Sequence, residues 1–115
     1  MKPVFLALFI AASLSAPRLG SGQAAEKQTF TGVITDEMCP IGSHAHMKMG
    51  PTDGECTKAC VMLHGSKYVL FDGKKAYVLS DQETPERFAG QKVRVVGTLD
   101  EKTFTIQVDS IAAAR

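Results

Sequence analysis

Polar and apolar residues alternate along most of this chain, with the two-residue period of β-strands rather than the 3.6-residue period of helices. From Gln28 to Glu37 (QTFTGVITDE), Phe30, Gly32 and Ile34 share one face, and Thr31, Val33 and Thr35 share the other. Gly32 inside that run marks a bulge or sharp bend. Lys67 to Phe71 and Ala76 to Ser80 are two further strand-like runs. They are joined through Asp72-Gly73, a strong hairpin signal. Gln91 to Leu99 places Val93, Val95, Gly97 and Leu99 inward. Thr103 to Val108 does the same with Phe104, Ile106 and Val108, after a turn at Asp100-Glu101-Lys102. Thr84-Pro85 opens a short helical turn that reaches Ala89, with proline at its first position. Five short strands with short turns suit a small mainly β domain that closes on itself to hide its edges.

One connection breaks the pattern. Between the first and second strands the chain runs from about Met38 to Ser66, and long connections in compact domains usually carry function or structure of their own. Thr52 and Glu55 have capping-box spacing, and Gly65 can take the left-handed conformation that ends a helix. The spacing therefore predicts a helix over Asp53 to His64. Cys56, Ala59, Cys60 and Leu63 should form the apolar stripe that faces the barrel.

Chemistry concentrates in the same connection. All three cysteines (Cys39, Cys56, Cys60) and all three histidines (His44, His46, His64) lie there, with Met47 and Met49 beside the histidines. Thiolate, thioether and imidazole are the donors that Cu(I) and Zn(II) select. Cys56 and Cys60 are about 6 Å apart along a helix axis, so both can reach one ion. His64 is about 12 Å from Cys56 along that axis and is discounted. The expected metal ligands are Cys39, Cys56 and Cys60, with His46 as the favoured imidazole, His44 second, and Met47 and Met49 as auxiliary donors. The thioether pair tilts the choice towards copper over zinc.

Other readings of the same residues remain open. Cysteine packs well as a small buried hydrophobe. Cys39 could pair with Cys56 or Cys60 in a disulfide that staples the loop of an interaction module. A thiol redox protein would need an exposed, low-pKa thiolate, for which Cys56 near a helix N-terminus is the candidate. The Cys-x3-Cys spacing lacks a thioredoxin pattern around it. No catalytic residues are expected. Asp36-Glu37 and Asp100-Glu101 read as solvated turn residues. Tyr68, Phe71 and Tyr77 read as core or hairpin packing rather than a stacking platform for bases.

The N-terminus decides compartment and charge. Val4 to Leu14 is an apolar run behind Lys2, of signal-peptide length and too short to span a bilayer. Gly22 and Ala24 offer a small-x-small cleavage site before Ala25, so residues 1–24 read as a signal peptide and 25–115 as a single domain. The 115-residue chain carries 13 basic and 12 acidic residues. Loss of Lys2 and Arg18 takes the net charge from +1 to −1. Such a domain has no electrostatic footprint for nucleic acid and no polybasic membrane patch. The expected location is periplasmic or secreted, with no stable membrane anchor after cleavage. The expected partners are a metal ion and a periplasmic protein. An odd cysteine count in an exported protein points to a ligand, a reactive thiol or an intermolecular bond.

The stretches TGVITDEMC, ECTKACV, KYVLFDGKKAYVLSDQ and FAGQKVRVVGTLDEKTFTIQVDSI together resemble a largely uncharacterised group of small exported bacterial proteins with an OB-like barrel. The resemblance covers most of residues 29–111. It implies fold and export and supplies no activity. The expected architecture is a mainly β, five-stranded OB-like barrel with one α-helix inserted between strands 1 and 2.

Overall fold

The computed structural model describes residues 26–41 and 50–114. Residues 1–24, read above as a signal peptide, and His44, His46, Met47 and Met49 lie outside the described residues. Among the described residues, five strands and one α-helix make up the fold. They are β1 (Gln28–Asp36), α1 (Asp53–His64), β2 (Tyr68–Phe71), β3 (Ala76–Leu79), β4 (Lys92–Asp100) and β5 (Thr105–Ala113), with a 3-10 turn at Thr84–Phe88. The helix follows the first strand, as the capping residues indicate.

The sheet closes in the order β1-β2-β3-β5-β4, and β4 returns to β1. β1 serves two neighbours. Its first half pairs with β4, from Gln28 opposite Gly97 to Val33 opposite Lys92. Its second half pairs with β2, from Val33 opposite Phe71 to Asp36 opposite Tyr68. The parallel pairing between β3 and β5 is short, at Val78–Thr105 and Leu79–Ile106. The Val78 N–H donates to the Phe104 carbonyl (2.9 Å), and the Val108 N–H donates to Ser80 Oγ (2.8 Å), so polar bonds bracket this closing seam.

Alternation converts directly into a core. Ile34, Leu70, Leu79, Val93, Val95 and Ile106 are fully buried, joined by Tyr68, Tyr77 and Ala89. Both tyrosines therefore serve the core, and Tyr77 packs its ring 5.9 Å from that of Phe30. The β2–β3 hairpin forms where Asp72-Gly73 stands. The Asp72 carboxylate accepts the N–H groups of Lys74 and Lys75 (2.8 Å each), and these bonds hold it below the usual carboxylate range. Gly73 has φ of 102°, which this turn requires.

Three local expectations are corrected. The bulge lies at Val96/Gly97 in β4, and pairing runs unbroken through Gly32. Gly32 is instead a point of close approach, where a Cβ would strike the Phe71 carbonyl. Phe104 is 49 % exposed and does not face the core. It sits in the β4–β5 turn with φ of 52°, a conformation held while its carbonyl accepts from Val78. The helix is also rotated from its expected face. It buries Cys56, Thr57 and Cys60 and packs Val61 on the core, leaving Leu63 70 % exposed. Ala59 is half-buried.

The cause of that rotation is proximity. A Cβ on Gly54 would lie 2.5 Å from the Ala89 carbonyl, and one on Gly90 would lie 2.7 Å from the Gly54 nitrogen. The start of the helix thus rests backbone-to-backbone on the segment that enters β4. Ile34 bridges Ala89, and the Gly90 N–H donates to the Ile34 carbonyl (2.8 Å). A helix held this close presents small side chains to the barrel, which favours Cys and Thr over Leu.

Two glycine replacements test this contact. Gly73→Ala meets open space and incurs only backbone strain, about 1–2 kcal/mol. Gly90→Ala adds overpacking of about 1–3 kcal/mol to a similar strain at φ of 78°. The urea midpoint should fall further for Gly90→Ala. Equal shifts would show that the helix does not rest on this backbone.

Candidate functional site

The thiols gather where the end of β1 meets the inner face of α1. Thr52 caps the helix: its hydroxyl accepts the Glu55 N–H (3.2 Å) and contacts the Glu55 carboxylate (3.3 Å). Gly65, with φ of 65°, ends it in the left-handed region. Between these stops the 3.6-residue repeat sets Cys56 and Cys60 one turn apart on the buried face.

Cys39 arrives from the other side. Beyond β1 the chain folds back, so that the Cys39 N–H donates to the Asp36 carbonyl (3.2 Å) and Thr35 Oγ1 donates to the Cys39 carbonyl (2.7 Å). The Glu37 N–H donates to the Lys67 carbonyl (3.0 Å), which ties this turn to the start of β2. The three cysteines are free thiols, with exposures of 8 % for Cys39, 1 % for Cys56 and 0 % for Cys60.

They share one desolvated compartment. Burial pushes the Cys60 thiol up to about 12, with further upward contributions from the charges of Asp36, Cys56 and Cys39. A hydrogen bond with the Cys56 thiol acts in the same direction. Burial also raises Cys39, followed by Asp36, Cys56 and Asp53. The Tyr68 hydroxyl is raised by burial, then by Glu86 and Asp36. Each charge that bears on these groups is negative, so the end of the barrel under α1 disfavours anions.

Of the expected ligands, Cys39, Cys56 and Cys60 are all buried, two of them on the inner face of α1 and one in the turn after β1. His64, discounted on axial distance, stands exposed in the last turn of α1. Among the described residues no group of three or more His, Cys, Asp and Glu side chains is set to hold a metal ion as it stands. The staple between Cys39 and a helical cysteine is not formed. Cys56, the candidate redox thiol, lacks the exposure that this role requires.

The important correction is Asp36. The sequence reading placed it with Glu37 as a solvated turn residue, yet it is 0 % exposed. The strand period carried the signal. Phe30, Gly32 and Ile34 point inward, and Asp36 is the next residue on that face. Glu37, one step on, is exposed.

The raised Cys60 thiol makes stability depend on pH. The unfolded chain loses this proton near pH 8.5, whereas the folded chain keeps it to about 12. Between those values the folded state binds more protons, so stability falls as pH rises. The full contribution is present below about pH 8.5. Urea midpoints of reduced protein should fall from pH 8 to pH 10.5, and Cys60→Ala should flatten that slope. Iodoacetamide at pH 8 should leave Cys60 unmodified in folded protein and label it in denaturant. Rapid labelling in the folded state would contradict this burial.

Comparison with known proteins adds a family without an activity. The profile of a family described as "Protein of unknown function (DUF5818)" matches residues 60–114, from Cys60 to the end of β5. Neither the curated proteins nor the solved structures gave a match to the chain. From Cys60 onward the chain is similar to that family of unknown function, while β1, Cys39 and Cys56 lie outside the matched stretch.

Proposed function

We propose that this chain is an exported OB-like barrel that binds a soft or borderline metal ion, Cu(I) or Zn(II), through Cys39, Cys56 and Cys60. The role is carriage, buffering or sensing of that ion. Export rests on the apolar run Val4 to Leu14 and the small residues before Ala25. The OB-like assignment is supported by five strands ordered β1-β2-β3-β5-β4 with a helix packed on β1.

The observation that carries the reading is the burial of all three thiols where α1 packs on β1: Cys56 and Cys60 lie one turn apart on the dry face of the helix, and Cys39 is in the turn that follows β1. Two thiolates on one tetrahedral ion, each about 2.3 Å from it, stand about 3.8 Å apart. Binding draws Cys39 inward, and each thiol surrenders its proton to solvent as its metal–sulfur bond forms. His46, with His44 second, is the imidazole of this proposal, and Met47 and Met49 are its auxiliary donors.

Burial that disfavours a bare thiolate is compatible with a ligand role, because the cation replaces the proton and removes the net charge. Affinity must then rise with pH, by about tenfold per unit for each proton released. Native mass spectrometry of reduced protein with Cu(I) and with Zn(II) should show a one-to-one complex. That complex should be lost in Cys56→Ser and Cys60→Ser and kept in His64→Ala. Retention in both cysteine variants would overturn the proposal.

A further inference from the structure

The outer face of α1 plays no part in the thiol site. Opposite the dry side of Cys56, Thr57 and Cys60, the helix sets Glu55, Lys58, Ala59 and Met62 at i, i+3, i+4 and i+7, which is one continuous stripe. Met62, and Leu63 at the edge of the stripe, are the most exposed large apolar side chains among the described residues. Single exposed apolar residues are ordinary on a protein surface, but two in succession beside a half-buried alanine form a patch. Charge is divided along the same helix. Asp53 and Glu55 stand exposed in its first turn, and Lys67 stands exposed just beyond its end. Among the described residues, none of these three is held in an ion pair.

We propose that this face pairs with a second copy of the chain, α1 against α1, antiparallel about a two-fold axis. A two-fold contact uses one surface twice, so each feature must find its complement on the same surface. The axis passes level with the Cys60–Val61 peptide. At about 1.5 Å per residue, Met62 of one copy then lies level with the partner's Ala59, and Leu63 with the partner's Lys58. The long thioether side chain fills the hollow above the small alanine. Leu63 packs on the aliphatic stem of the lysine. The acidic first turn reaches the level of the partner's Lys67, and the two helix dipoles run antiparallel. Charge complementarity selects this occupant. A parallel arrangement would set acid against acid. An anionic membrane or a nucleic acid would meet the acidic first turn as well as the lysines. A twelve-residue helix face is about 18 Å long and one helix wide. That is small for a permanent interface, so association is weak and set by concentration.

Sedimentation velocity of the reduced protein should show a monomer at about 10 µM and a dimer fraction that rises towards about 1 mM. Over the same range, amide NMR shifts should move along residues 55–67 and stay fixed in β3 and β5. Neither measurement depends on how a variant folds. Met62→Glu, a change at an exposed position, should weaken the dimer about tenfold or more. Lys67→Glu should weaken it about threefold or more by setting acid against acid, and adding Asp53→Lys should restore it. A monomer at every concentration, a dimer indifferent to Met62→Glu, or failure of Asp53→Lys to rescue Lys67→Glu would overturn the proposal. Binding to vesicles of anionic lipid by protein that stays monomeric would overturn it as well, and would assign the patch to a lipid surface.

Discussion

The contact between the start of α1 and the Ala89-Gly90 backbone governs the rest of this structure. Gly54 and Gly90 meet with no side chain between them. That lets a twelve-residue helix lie against β1 at the end of a five-stranded barrel rather than stand off from it. Once it lies there, only small side chains fit beneath. Cys56, Thr57 and Cys60 are the residues the helix fully buries, and each is a small group carrying a sulfur or oxygen atom. The seal and the chemistry therefore share one cause.

The barrel positions the remaining member. β1 divides its pairing between β4 and β2, so its last residues pass beneath the helix instead of running on along a sheet edge. The Cys39 turn is then fastened by two hydrogen bonds, one from its own N–H and one to its carbonyl. The three thiols and the Asp36 carboxylate, carried by α1, β1 and the turn after β1, are all buried. Burying that much ionisable chemistry in a thin core costs stability. A bound cation would recover part of that cost, which links the function proposed for the site to the stability of the domain.

Much of the scaffold was legible because its signals are local. Ile34, Val93, Val95 and Ile106 each fall on one face of a two-residue period, and all four are fully buried. Thr52 and Gly65 marked the ends of α1 because capping involves only neighbouring backbone groups. Asp72-Gly73 marked its hairpin for the same reason. Leu63 and Phe104 were misplaced because their surroundings are not local. Leu63 depends on how closely the helix approaches the barrel, and Phe104 on the bond its carbonyl makes to Val78 across the closing seam.

The chain alone thus determined its β-rich class, the order and limits of its helix, and the gathering of its sulfur residues in one connection. Each of these follows from spacing along the backbone. Only the tertiary structure decided which helix face is dry, that Cys39 lies beside the helical pair, and that Asp36 is buried while Glu37 is not. Burial is a property of what packs on top of a residue, and for this site the covering element arrives from nearly twenty positions away in sequence.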